Sequence, residues 1–163
     1  MARYPEQVST LVAHEPPVAA LLPDAAHWRT FTEEIRDIYR RDGVFPAMQK
    51  FGEGVGLGGP EPGAEPDPEA MQRMMGNLEL FAGYTIPVIT NYPPDLEALR
   101  TSSARVVVGV GDESTPDQLA YRSAIALATG LGIEPVVFPG AHGGFASHPE
   151  TFAVRLHEVL SHS

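Results

Sequence analysis

The sequence predicts an α/β fold: about three parallel strands with flanking helices, and a long helical insertion after the first strand. Three observations predict it. ARVVVGVG, from Ala104, and EPVVF, from Glu134, are short unbroken apolar runs, the pattern of strands covered on both faces. Each is followed by a helix-period pattern, and the order strand, helix, strand, helix implies parallel pairing through a right-handed crossover. VSTLVA, residues 8–13, is a third apolar run rich in β-branched residues, closed by Pro16-Pro17.

The elements follow in three parts. Residues 1–16 hold the first strand and its exit loop. Residues 17–103 are mostly helical. Asp24 is placed to cap a helix whose Trp28, Phe31, Ile35, Ile38 and Tyr39 share one face through spacings of three and four. Residues 44–51 form a second short helix despite Pro46. Residues 52–68, GEGVGLGGPEPGAEPDP, are too rich in glycine, proline and acid to bury a core and read as a flexible loop. Asp67-Pro68 then opens a helix with Met71, Met74, Met75, Leu78 and Phe81. Pro87, Pro93 and Pro94 interrupt the pattern before a last helical turn, DLEALR. Residues 104–163 form a C-terminal βαβα unit. Its first helix starts at Thr115-Pro116, carries Leu119, Ile125, Leu127 and Ala128, and ends at Gly130 and Gly132. Its last helix opens at Pro149 and carries Phe152, Val154, Leu156, Val159 and Leu160.

At 163 residues, one domain burying roughly 70% of its unfolded surface is expected. The formal charge of −10 argues against nucleic acid as a partner, since phosphates need a basic surface. No basic amphipathic stretch suggests a membrane surface, and no apolar run approaches the ~20 residues of a membrane span. Without cysteine there is no thiol catalysis and no thiolate metal site. The N-terminus lacks the apolar core of a signal peptide, so a cytoplasmic protein is the expectation.

Ligands of open parallel sheets sit beyond the carboxyl ends of the strands. Three loops leave those ends. The first holds His14 and Glu15; the second holds Asp112, Glu113, Ser114 and Asp117; the third, in FPGAHGGF, holds His142, with His148 just after. An acid after one strand and a histidine after the next makes neighbours of a carboxylate and an imidazole.

These pieces, VSTLVAHEPP, the helical insertion, VVVGVGDESTPD and FPGAHGGFASHPETFAVRLHEVL, resemble the C-terminal half of an α/β-hydrolase, and the fold expected is a partial α/β-hydrolase fold. In that family the triad runs Ser, then Asp or Glu, then His. The resemblance implies that Asp112, in Gly109-x-x-Asp112, is the acid and His142 the general base, and that the insertion is a lid. Glu113 is the alternative acid. None of the eight serines has glycine two residues away on both sides, so the family's G-x-S-x-G nucleophile is not in this sequence. The resemblance places residues 2–8 at the end of the helix that follows the nucleophile elbow, just before the next strand, with the nucleophile upstream.

The function this implies is a serine hydrolase of the esterase type, present as acid, base and lid. Trp28, Phe31, Tyr39, Met74 and Phe81, with His14 and Glu15, are the expected substrate-binding residues for a small apolar acyl ester. No cofactor is expected. The alternatives are a catalytically inactive module that folds with a partner, and a relative with epoxide hydrolase or cofactor-free haloperoxidase chemistry. The expected partners are a small-molecule ester, and either the missing N-terminal half or a second copy paired through the first strand. Two decoys are set aside. Residues 54–59 fit G-x-G-x-x-G but lack the strand before and the helix after. His142, His148 and Asp112 do not have a favoured metal-ligand spacing.

Overall fold

The computed structural model describes residues 5–56 and 68–161. Strands β1 (Thr10–His14), β2 (Arg105–Gly111) and β3 (Val136–Phe138) form one parallel sheet in the order β1-β2-β3. His14 pairs with Gly109, and Gly111 with Phe138, so the three carboxyl ends lie side by side. β1 starts two residues later than the sequence suggests and takes in His14.

The chain divides into two compact units: Pro23–Tyr92, and Met1–Leu22 with Pro93–Ser163. The first is helical. Helix α1 (Ala25–Asp42) buries Trp28, Phe31, Thr32 and Ile35 on one face. Asp24 precedes it, and its carboxylate accepts from Trp28 Nε1 at 3.2 Å. Gly43, at φ 91°, makes the sharp turn into α2 (Val44–Val55), a conformation that favours glycine. The loop expected over residues 52–68 lies mostly outside the described residues, as do Asp67 and the Met71 side chain; residues 52–55 continue α2. Helix α3 (Pro68–Leu80) runs into a π turn, Phe81–Thr85, and then α4 (Ile86–Thr90). Pro87 therefore does not interrupt the helix. Ile86 N–H bonds back five residues to Phe81 O, and the widened turn accommodates a proline that has no N–H to place.

The sheet unit adds α5 (Leu96–Arg100), capped by Asp95 accepting from Ala98 N at 2.9 Å, then α6 (Leu119–Leu131), a short α7 (Gly144–Ser147) and α8 (Pro149–Ser161). α6 starts at Leu119, four residues after Thr115. Gln118 N–H donates to Thr115 O and its side chain accepts from Thr115 N–H, both at 3.1 Å, so residues 115–118 close a turn of their own. Gly132 ends α6 in the left-handed conformation, with Ile133 N–H on Ala128 O, while Gly130 sits inside the helix.

Alternation along β2 builds a core on each face. Val108 and Val110 pack with Ala124, Leu127, Ala128 and Leu131 of α6. Val107 packs with Phe138, Phe152 and Val159, the last two from α8. In α8, Phe152 and Val159 are seven apart and Leu156 packs beside them, whereas Val154 and Leu160 fall off that stripe and face solvent. Among the described residues no helix is long and apolar enough to cross a membrane.

Candidate active site

The loops after the three strands converge, and each ends its strand in a way the local sequence explains. β1 is stopped by Pro16-Pro17. Just before them Glu15 adopts φ 42°, the one non-glycine residue with positive φ among the described residues. Its N–H still bonds Gly109 O at 2.9 Å, extending the β1–β2 ladder by one rung. The kink turns the side chain inward, where it is fully buried, and Oε1 accepts from Gly111 N–H at 2.9 Å. Strain of this kind persists only where surrounding contacts over-determine it.

The other oxygen meets the histidine. Glu15 Oε2 lies 3.5 Å from His142 Nδ1, in ion-pair range but without hydrogen-bond alignment. Burial is the largest single influence on the Glu15 carboxyl and favours its neutral form. Interactions with His142, Ser114 and Gly111 N–H, and to a smaller extent His14, together outweigh it, so the carboxyl is held below its ordinary range. A buried anion thus faces an imidazole that is 42% exposed. With the carboxylate at Nδ1, Nε2 is the nitrogen turned away from it.

Asp112 has a different neighbour from the one expected. Its Oδ1 accepts from Gly140 N–H at 2.7 Å, and its own N–H donates to Phe138 O at 3.0 Å. Glu113 N–H adds a bond to Gly140 O at 3.2 Å. The second loop therefore holds the main chain of the third. The carboxylate paired with His142 among the described residues is Glu15's, a residue expected only to line the pocket. Asp112 instead meets the Gly140 N–H presented just past the end of β3, a buried donor that needs an acceptor. Glu113 instead faces His148 Nε2 at 3.8 Å, and Asp117 is tied to Thr115 within its own turn.

His14, half-buried, is held against the third loop. Its Nε2 bonds Ala141 O at 3.3 Å, and its ring meets Phe138 and Phe152 edge-on, with centroids 5.4 and 5.1 Å away. Glycine makes this closeness possible. A Cβ on Gly111 would collide with Gly140 O, and one on Gly144 with Pro139 O.

The remaining expected residues lie in the helical unit. Trp28 and Phe31 are buried in its core, and Tyr39 covers Gly83. Met74 and Phe81 border a concavity of about 580 Å³ with Arg73, Asn77 and Thr85. No group of three or more His, Asp or Glu side chains that could hold a metal occurs among the described residues.

No family model and no solved structure matches the sequence. The chain is 31% identical over 163 residues to "Uncharacterized hydrolase YraK" of Bacillus subtilis (strain 168). The similarity covers 97% of this chain and 56% of that protein, so the chain spans just over half the length of this relative.

Proposed function

We propose that this chain carries the base and acid of a hydrolase site of the serine-esterase kind, completed by a nucleophile outside these 163 residues. The observation that carries the reading is the buried Glu15 carboxylate set against Nδ1 of a half-exposed His142. The hydrolase name of the B. subtilis relative agrees with it. In this reading a serine hydroxyl attacks the acyl carbon. His142 Nε2 takes the hydroxyl proton and returns it to the leaving group, and Glu15 orients the ring and stabilises its cation. Asp112 serves the same site by holding the loop. The acyl group is proposed to be small and apolar, on the strength of the aromatic and methionine content of residues 17–103.

The test is a chimera in which this chain replaces the matching stretch of the B. subtilis relative. A fluorophosphonate probe is expected to label a serine in the relative's portion and none of the eight in this chain. Hydrolysis of short p-nitrophenyl esters is expected to fall about 10²–10⁴-fold in His142→Ala, the usual worth of a general base. A folded chimera that hydrolyses equally well without His142, or a label on one of this chain's serines, overturns the reading.

A second reading, a module that folds with a partner, is favoured by the sheet edges. β3 is short, and Arg155 Nε donates to Val137 O at 3.1 Å along it. β1 carries no strand on its outer side among the described residues, and Leu11 and Val12 give that edge no charge. Such an edge is a template for pairing. The chain alone is expected to self-associate in sedimentation at micromolar concentration, and a monomer unchanged by concentration rules this out.

A further inference from the structure

We infer that His14 is a positioning residue for His142, acting through the hydrogen bond from its Nε2 to the carbonyl of Ala141. The inference goes beyond the choice of base and acid, and it concerns how the imidazole is aimed.

Ala141 directly precedes His142, so the Ala141 carbonyl and the His142 nitrogen belong to one rigid plane. Holding that oxygen fixes the plane, and with it the direction in which His142 leaves the main chain. The oxygen has two donors. Gly144 N–H at 2.9 Å closes the loop upon itself, and His14 Nε2 at 3.3 Å ties it to the end of β1, 127 residues away in sequence. Only the second bond fixes the loop relative to Glu15, because Glu15 is the next residue after His14. The strand end that supplies the carboxylate therefore also holds the backbone that carries its imidazole partner.

Packing alone does not account for an imidazole here. The ring sits edge-on to Phe138 and Phe152, and Gly109 is bare beneath it, since a Cβ there would come within 3.2 Å of Nδ1. A phenyl ring suits such a niche. The imidazole instead brings a buried Nδ1 with no partner, an unfavourable feature that a phenyl lacks. What it gains is the N–H on Ala141.

The protonation state agrees. Burial lowers the His14 pKa against the opposing effects of the Ala141 carbonyl and Glu15, and His142 lowers it further. The titratable groups facing it are Glu15 from its own strand end and His142 from the loop after β3; Phe138 and Phe152 present none. A neutral ring with its single proton on Nε2 is the donor the contact requires.

The experiment compares His14→Phe and His14→Gln in the intact chain by NMR. Phenylalanine keeps the ring and removes the donor; the glutamine amide nitrogen can replace Nε2. In the unaltered chain, ring ¹⁵N shifts at pH 7 are expected to show His14 neutral with its proton on Nε2. In His14→Phe, the His142 ring resonances are expected to move because the ring is no longer aimed, and the Glu15 carboxyl midpoint to rise, since both the larger effect of His142 and the smaller effect of His14 itself on it are reduced. His14→Gln is expected to restore the His142 resonances and to leave only the smaller part of the Glu15 shift. A role confined to packing predicts that the phenylalanine variant keeps the His142 resonances unchanged and that the two variants move the Glu15 midpoint equally. That result, or a His14 proton on Nδ1, overturns the inference. None of these readouts needs a nucleophile, so failure here is separate from failure of the esterase reading, which the chimera decides.

Discussion

Glu15→Ala is expected to lower the stability of the chain by about 2–3 kcal/mol, measured by chemical denaturation at pH 7. The first contribution is Gly111 N–H, which is left buried without its acceptor and costs about 1–3 kcal/mol. The second is the space vacated by a fully buried side chain. The loss of the pair with His142 adds less than the roughly 3–5 kcal/mol of a fully buried ion pair, because His142 is 42% exposed and water rehydrates it. Glu15→Gln keeps the shape and an acceptor oxygen, so its expected cost is smaller, about 1 kcal/mol. In the chimera, however, the glutamine variant is expected to lose about 10²–10⁴-fold in kcat, since the charge that steadies the imidazolium is gone. The pH dependence has a definite sign. The folded Glu15 carboxyl titrates below its unfolded counterpart, so its stabilisation is fully present above the unfolded value near ~4.3 and is lost as pH falls through the folded value. Both variants are expected to lose less stability than the original between neutral pH and strong acid. A Glu15→Ala protein with unchanged denaturation midpoint and unchanged acid sensitivity contradicts this account.

Gly111→Ala is the second large effect, about 2–3 kcal/mol of destabilisation with displacement of the His142 loop. The added Cβ meets Gly140 O, and stands 2.9 Å from both Ala141 Cα and Ser114 Oγ. Two of these three atoms are main chain and cannot rotate away, so overpacking must move the loop. The displaced segment carries Gly140, Ala141 and His142 together, which puts the bond that Gly140 N–H donates to Asp112 and the one that His14 donates to Ala141 at risk in one substitution. Gly52→Ala is the control. It lies inside α2 with nothing within 4 Å of its Cβ, and is expected to stabilise by about 0.5–1 kcal/mol through helix propensity. Denaturation midpoints that order these two variants the other way dispose of the packing argument.

The architecture was legible because it is written in local pattern. The apolar run of β2, the Gly132 stop and the Pro149 start each specify their element from a few neighbouring residues, and the alternation of strands and helices implies a parallel sheet. That alternation also names the three loops that meet. Where local rules misled, a local bond had intervened: Gln118 folded the expected first turn of α6 into a separate turn, and the π turn absorbed Pro87. The pairing inside the site was not legible. Asp112, Glu113 and Glu15 are all acids in converging loops, and which one meets His142 depends on ångström-scale differences that no spacing encodes. A φ of 42° at Glu15 turns one carboxylate inward, and a Gly140 N–H engages another. His14 shows the same limit, its hydrogen-bond partner lying 127 residues away. Sequence by itself determined which elements form and which loops converge, because backbone preference and burial act over a few residues. Tertiary structure alone decided which side chain each buried donor and acceptor receives, because a buried polar group takes the partner that closure of the whole sheet brings within reach.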